Sequence, residues 1–338
     1  MAKRWLWALA IVAGAAPLAC SSGNGNGNDG GTDASSMKAC TDLANAVCNE
    51  LQQCTPALVT GVWGSTAACA SANESTCAAS LALTNTSDTP STAEACSAAY
   101  GSLSCAAAFD NNPPTACIRQ TPGPLALGSP CGTPGQCASS VCQVDSVTGC
   151  GQCIAAVAAG AACKATSDCQ TGLVCAATSA TAAVCVAPAA TSAACSTKYP
   201  IIPCDYDLVC NAGVCQAPLA AGSACNPAAS LCDATNGYWC TPYDTRCVLV
   251  LFAGTGQACG YDKATGDLTN CSGSGACQNV SMTTGLGTCT APVASGSMCN
   301  VVTGPFCIPP AGCMTVPDAG ADAGAMGMCT TFNPAMCN

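Results

Sequence analysis

The chain has 338 residues, 35 of them Cys and none of them His. A Cys content above about 8–10 % makes a disulfide scaffold the leading reading, and the lack of His excludes His-based triads, His-ligated zinc and His proton relays. With 18 acidic and 8 basic residues the net charge is −10, so neither nucleic acid nor electrostatic docking to anionic lipid is expected. The apolar fraction of 50 % includes 66 Ala. The large apolar residues that remain are too sparse for large cores, and the composition points to many small stapled units.

Residues 1–19 read as a signal peptide: Lys3 and Arg4 precede an apolar run over 5–19 that ends at Cys20. Such a run is short of the ~20 residues a spanning helix needs. Leu18-Ala19-Cys20 resembles the lipobox of bacterial lipoproteins, although Pro17 stands where that pattern usually has Leu, Val or Ile. The resemblance implies a diacylglyceryl group on Cys20, which becomes the mature N-terminus. The alternative is ordinary cleavage near Ala13–Ala16, leaving a secreted protein. Setting Cys20 aside leaves 34 Cys, an even number. Residues 20–36 are the lipidated Cys and a Gly/Asn/Ser spacer with no large apolar side chain, with a reach of ~20–25 Å. Ser21 follows the Cys, where Asp often signals inner-membrane retention in bacterial lipoproteins of this type. The resemblance thus implies an outer-membrane lipoprotein or cell-surface location, with membrane contact through the lipid anchor only.

Residues 37–120 are expected to form a helical cysteine-rich domain. Met37, Cys40, Leu43, Ala44, Val47, Cys48, Leu51 and Cys54 recur every three or four positions, a period that places them on one helical face. A second helix is expected over about 65–79, after Gly64, and a third from Ser91, where Ser91 and Glu94 have capping-box spacing. Cys40 and Cys48, like Cys69 and Cys77, are eight apart, ~12 Å along a helix, whereas a disulfide needs Cα atoms within ~7 Å. The bridges among Cys40, Cys48, Cys54, Cys69, Cys77, Cys96, Cys105 and Cys117 must therefore run between helices, stapling a small bundle.

From 128 to 338 six tandem units follow, at about 128–155, 160–187, 193–217, 222–249, 256–291 and 296–338. Five open with Gly-x-x-Cys and one, at Cys195, lacks the Gly. Their Cys sets are Cys131, Cys137, Cys142, Cys150 and Cys153; Cys163, Cys169, Cys175 and Cys185; Cys195, Cys204, Cys210 and Cys215; Cys225, Cys232, Cys240 and Cys247; Cys259, Cys271, Cys277 and Cys289; and Cys299, Cys307, Cys313, Cys329 and Cys337. The spacing in phrases such as SDCQTGLVC (167–175) resembles the Dickkopf N-terminal cysteine-rich module and, more loosely, EGF-like stapled hairpins. The resemblance implies a scaffold of mostly coil and short β-hairpins; the Wnt-antagonist activity of animal Dickkopf proteins does not carry over, because no receptor-binding residues match. Units of ~30 residues cannot fold on apolar burial alone, so two bridges replace the core. Four Cys permit three connectivities; first-to-third with second-to-fourth is favoured because it crosses the loops and compacts the unit. Ala/Pro-rich joints predict an elongated array in which each unit touches its neighbours. Residues 317–325 read as a low-complexity insertion.

Catalytic residues are not expected, nor are cofactors or a metal site. Cys150 and Cys153 form the chain's one C-x-x-C, which sits in a Cys ladder rather than in the strand-to-helix setting that activates a thiol, so both read as structural; thiol-disulfide oxidoreductase chemistry at this pair is the remote alternative. Tyr238, Trp239, Tyr243 and Asp244 lie close in sequence and hold three of the ten Tyr and Trp residues. They form either that unit's miniature core or a patch for a protein or glycan ligand. Residues 247–252 (CVLVLF) read as a buried strand between units. The whole is expected to be a non-enzymatic, lipid-anchored structural or binding protein of the cell surface, the alternative being a secreted inhibitor or signalling ligand.

Overall fold

A computed structural model describes residues 34–145, 150–229, 231–315 and 326–337. The signal sequence, Cys20, the spacer to residue 33 and the 317–325 insertion lie outside the described residues. Among the described residues the chain is a small disulfide-rich fold with 17 disulfides, five helices first and many short antiparallel hairpins after them.

The helices are α1 (Ala34–Cys54), α2 (Pro56–Trp63), α3 (Thr66–Leu81), α4 (Pro90–Tyr100) and α5 (Cys105–Phe109). Residues 34–36, counted as spacer from composition, belong to α1. Cys40–Cys77 and Cys48–Cys69 join α1 to α3 at Cα separations of 5.4 and 5.9 Å. Cys54–Cys105 ties α1 to α5, and Cys96–Cys117 closes α4 onto the segment that follows α5. Ala44, Cys48, Val59, Cys69 and Ala70 form the buried centre, with Leu51 and Trp63 against it. Small Ala side chains let α1 and α3 approach within disulfide reach.

Two local features depart from the sequence expectation, and proline causes both. Pro56 begins α2 as its first residue, where a missing N–H costs nothing; Gly64 ends it at φ 80, its N–H donating to the carbonyls of Val59 and Thr60. Pro90 likewise opens α4. The cap is therefore Thr89, whose hydroxyl accepts from the Thr92 N–H at 3.2 Å while Thr92 Oγ1 accepts from the Thr89 N–H at 3.0 Å. Ser91 and Glu94 lie inside the helix instead of capping it.

The first unit forms a sheet of β1 (Pro130–Cys131), β2 (Cys142–Val144) and β3 (Gly151–Cys153) in the order β1-β3-β2. The second and third units are the hairpins β4 (Val174–Ala177) with β5 (Ala183–Val186) and β6 (Val209–Asn211) with β7 (Val214–Gln216). The fourth and fifth share one six-stranded sheet built from β8 (Tyr238–Cys240), β9 (Cys247–Ala253), β10 (Ala258–Tyr261), β11 (Leu268–Cys271), β12 (Ala276–Gln278) and β13 (Leu286–Thr290), ordered β12-β13-β10-β11-β9-β8. The last unit carries β14 (Met298–Asn300), β15 (Gly312–Thr315) and β16 (Met326–Thr330) in the order β14-β16-β15. Strand β9 is the 247–252 segment: antiparallel to β8 on one side and parallel to β11 on the other, it welds two units together. It is buried only on alternate positions at its centre, with Val250 covered and Leu249 and Leu251 exposed.

Each four-Cys unit pairs first to third and second to fourth: Cys163–Cys175 with Cys169–Cys185, Cys195–Cys210 with Cys204–Cys215, Cys225–Cys240 with Cys232–Cys247, and Cys259–Cys277 with Cys271–Cys289. The last unit repeats this with Cys299–Cys313 and Cys307–Cys329, and the first has Cys131–Cys142 and Cys137–Cys153. In the first, second and last units the buried centre consists of Cys alone. The opening Gly has a backbone reason. Gly128, Gly160, Gly222, Gly256 and Gly296 all have φ between 75 and 86, the left-handed region that a type II turn requires at its third residue. Each donates its N–H at 2.7–2.8 Å to the carbonyl of Cys153, Cys185, Cys247, Cys289 or Cys329, the last sulfur of its own ladder. Ser192 fills the same place before Cys195, at φ 68, and makes the same bond to Cys215.

The array is not elongated; it curls against the helical domain. Gln136 Nε2 donates to the Thr84 carbonyl at 3.0 Å, and Arg119 pairs with Asp88 beside it, Nε to Oδ1 at 2.7 Å. Asn111 Nδ2 donates to the Leu173 carbonyl at 2.9 Å. Tyr206 stacks on Phe109 at 4.9 Å, takes the Asp110 carboxylate on its N–H at 3.0 Å and donates its hydroxyl to the Cys54 carbonyl. The backbone N–H groups of Gly273 and Ser274 donate to the carbonyls of Thr60 and Gly61 at 3.0 and 2.7 Å. Cys150–Cys337 then joins the first unit to the last across 187 positions. Local composition describes the joints between units but carries no information about these long-range partners, which is why the sequence suggested a rod.

Candidate functional site

The aromatic segment, read from sequence as either a miniature core or a ligand patch, is divided by its own strand. Tyr238 and Trp239 are consecutive in β8, opposite Leu249 and Val248 of β9, so they project to opposite faces. Both are half-buried. Tyr243 and Asp244 sit in the turn that follows, which is fixed by the fully buried Thr241, whose hydroxyl accepts the Asp244 N–H at 3.3 Å.

The structure brings Tyr243 and Asp244 together with a residue that sequence reading missed, Tyr261 at the end of β10. The two rings stack with centroids 4.4 Å apart and planes 15° from parallel. Tyr261 is buried and donates its hydroxyl to Asp244 Oδ2, and this hydrogen bond, reinforced by burial, pushes its phenol up to about 12. Tyr243 remains 58 % exposed, with Lys263 Nζ 6.0 Å from its ring centroid. The result is a flat aromatic surface edged by a carboxylate and an ammonium. Such a corner can stack against a sugar ring or a peptide side chain while its charged groups bond to hydroxyls or amides. No local signal links Tyr261 to Tyr243, because the two belong to different Cys units and only the shared sheet brings them together.

Cys150 and Cys153 do not share a bond. Cys150 pairs with Cys337, and Cys153 with Cys137, so the C-x-x-C is split between a clasp and a unit staple. The crossed bridges also gather sulfur atoms: those of Cys131, Cys137 and Cys142 lie within 4.8 Å of one another, as do several equivalent trios. All are consumed in disulfides and offer no thiolate to a metal. An open cleft of about 590 Å³ lies between the fifth and sixth units, lined by Gln278, Val280, Val302, Thr303 and Phe306 among others.

No family model, curated protein or solved structure matches this chain. Its disulfide content fits an exported protein, and no helix among the described residues is long and apolar enough to cross a membrane.

Proposed function

We propose that this chain is a lipid-anchored, disulfide-stapled protein of the cell surface that presents the Tyr243–Asp244–Tyr261–Lys263 corner to a protein or glycan ligand. The observation that carries this reading is that every Cys from Cys40 to Cys337 is committed to a bridge, which demands folding in an oxidising compartment. Cys20, outside the described residues, is the Cys left over from the even set of 34 and follows the lipobox-like Leu18-Ala19. The scaffold serves display: crosslinked units resist proteolysis outside the cell, and the stacked tyrosines sit on a rigid sheet rather than on a mobile loop. The unit spacing, resembling Dickkopf N-terminal and EGF-like modules, agrees with a scaffold role.

Intact-mass analysis of protein taken from native membranes tests the anchor: a mature chain beginning at Cys20 with added acyl mass supports it, and an unmodified chain beginning upstream, recovered from the medium, favours a secreted ligand. For the binding corner, a glycan and peptide array probed with the native protein and with Tyr243→Ala should show binding in the first and at least a roughly tenfold loss in the second, as stacking hot spots commonly give.

A further inference from the structure

The last unit turns a second chemical face outward. In its three-stranded sheet the central strand β16 places Met328 directly opposite Met298 of β14 and Met314 of β15. Residues in such register project to the same face, so three thioethers lie in one row across the sheet. Met326, two residues before Met328, points to that face too, where its Sδ accepts from Asn300 Nδ2 at 3.3 Å. Four of the chain's eight methionines are thus gathered on one face of this small sheet. They are not core: Met298, Met326 and Met328 are 56 %, 39 % and 49 % exposed, while the opposite face carries Cys299 and Cys329, fully covered by the unit's bridges.

We propose that this face binds a soft monovalent d10 cation, Cu(I) or Ag(I), through the sulfur atoms of Met298, Met314 and Met328. The protein has no imidazole, and every described Cys is oxidised, so the thioethers are its principal soft donors. Soft ligands of this kind select Cu(I) over harder ions. A thioether also suits the compartment: it stays neutral and unprotonated where a thiolate would be oxidised to a disulfide. Directly opposed Cβ atoms in antiparallel pairs are ~4.5–5.5 Å apart, and the three-bond Met side chain has the reach to converge on one ion. The sequence does not reveal the row, because the three residues come from separate strands and only the register aligns them.

Silver is the probe, since it is not reduced or oxidised by the disulfides. The full mature chain, titrated with Ag(I) in chloride-free buffer, should take up one tightly held ion by native mass spectrometry. With methyl-labelled Met, the resonances of Met298, Met314 and Met328 should shift and those of Met37, Met282 and Met336 should not. The variant M298L/M314L/M328L keeps side-chain volume and should lose that ion, whereas M282L/M336L should keep it. Mild peroxide treatment of the unaltered protein, which converts thioethers to sulfoxides, should abolish uptake without any substitution. Equal uptake by the triple variant, uniform shifts at all methionines, or no uptake by the native chain would overturn the proposal.

Discussion

The helical domain and the tandem units are both stapled, but the staples do different work. In the helical domain the bridges between α1 and α3 reinforce a core that Ala44 and Leu51 of α1, Val59 and Trp63 of α2 and Ala70 of α3 also build. In the second unit the buried centre is Cys163, Cys169 and Cys185 themselves; removing the sulfur removes the core. The same chemistry therefore supplements a hydrophobic interface in one region and replaces it in the other, following how many large apolar residues each stretch contains.

That contrast breaks most sharply at a unit staple. Changing Cys169 and Cys185 together to Ser should cost about 3–5 kcal/mol and unfold residues 160–187 as a block, seen as loss of amide-exchange protection there. The matching change at Cys96 and Cys117 should leave the helical circular dichroism largely intact, because α1, α3 and their two bridges remain. Equal helix loss in both variants would show that the two regions are held alike.

Ring closure comes next. The Cys150–Cys337 clasp spans 187 positions, yet the units already dock on the helical domain, so its removal by Cys150→Ser with Cys337→Ser should cost about 2–3 kcal/mol. Small-angle scattering should detect a modest expansion with every unit still folded.

Smaller effects sharpen the account of the unit opening. Gly160→Ala forces a Cβ into the left-handed region at φ 80 and should destabilise by about 1–2 kcal/mol. Ser192→Gly, at φ 68, should do the reverse, with a gain below about 1 kcal/mol once glycine's extra chain entropy is counted. Thermal denaturation of the pair measures both signs.

The smallest effect is alkaline. Burial pushes the Tyr206 phenol up to about 12, and the Asp244 hydrogen bond does the same for Tyr261. Because their folded values are raised, the stability they contribute is fully present below the ordinary tyrosine value of 10.0 and is lost as pH rises through about 12. Ultraviolet titration should show a late-ionising fraction that shrinks in Tyr206→Phe, which loses the hydroxyl bond to the Cys54 carbonyl but keeps the ring stack on Phe109.

What was legible in the sequence was whatever is local. The three- and four-residue recurrence marked α1, the eight-residue Cys spacing forced bridges between helices, and the repeated Gly-x-x-Cys marked where each unit opens, though not the positive φ that makes glycine fit there. Partners distant in sequence were not legible. Pro56 opens a helix that the sequence reading did not place, and Pro90 starts one a residue before the expected Ser91, because proline fits the first helical turn. Tyr261 was invisible as the partner of Tyr243 because β9 carries the chain from one unit into the sheet of the next. Cys337 looked like a spare Cys of the last unit until the fold placed it beside Cys150.

Sulfur crosslinks hold this chain where apolar side chains are too few. The direct measurement is to unfold the protein in guanidinium with an alkylating reagent and no reductant, then to weigh it intact. No adduct should appear on any Cys from Cys40 to Cys337, whereas adducts on many of them would show that the bridges do not exist.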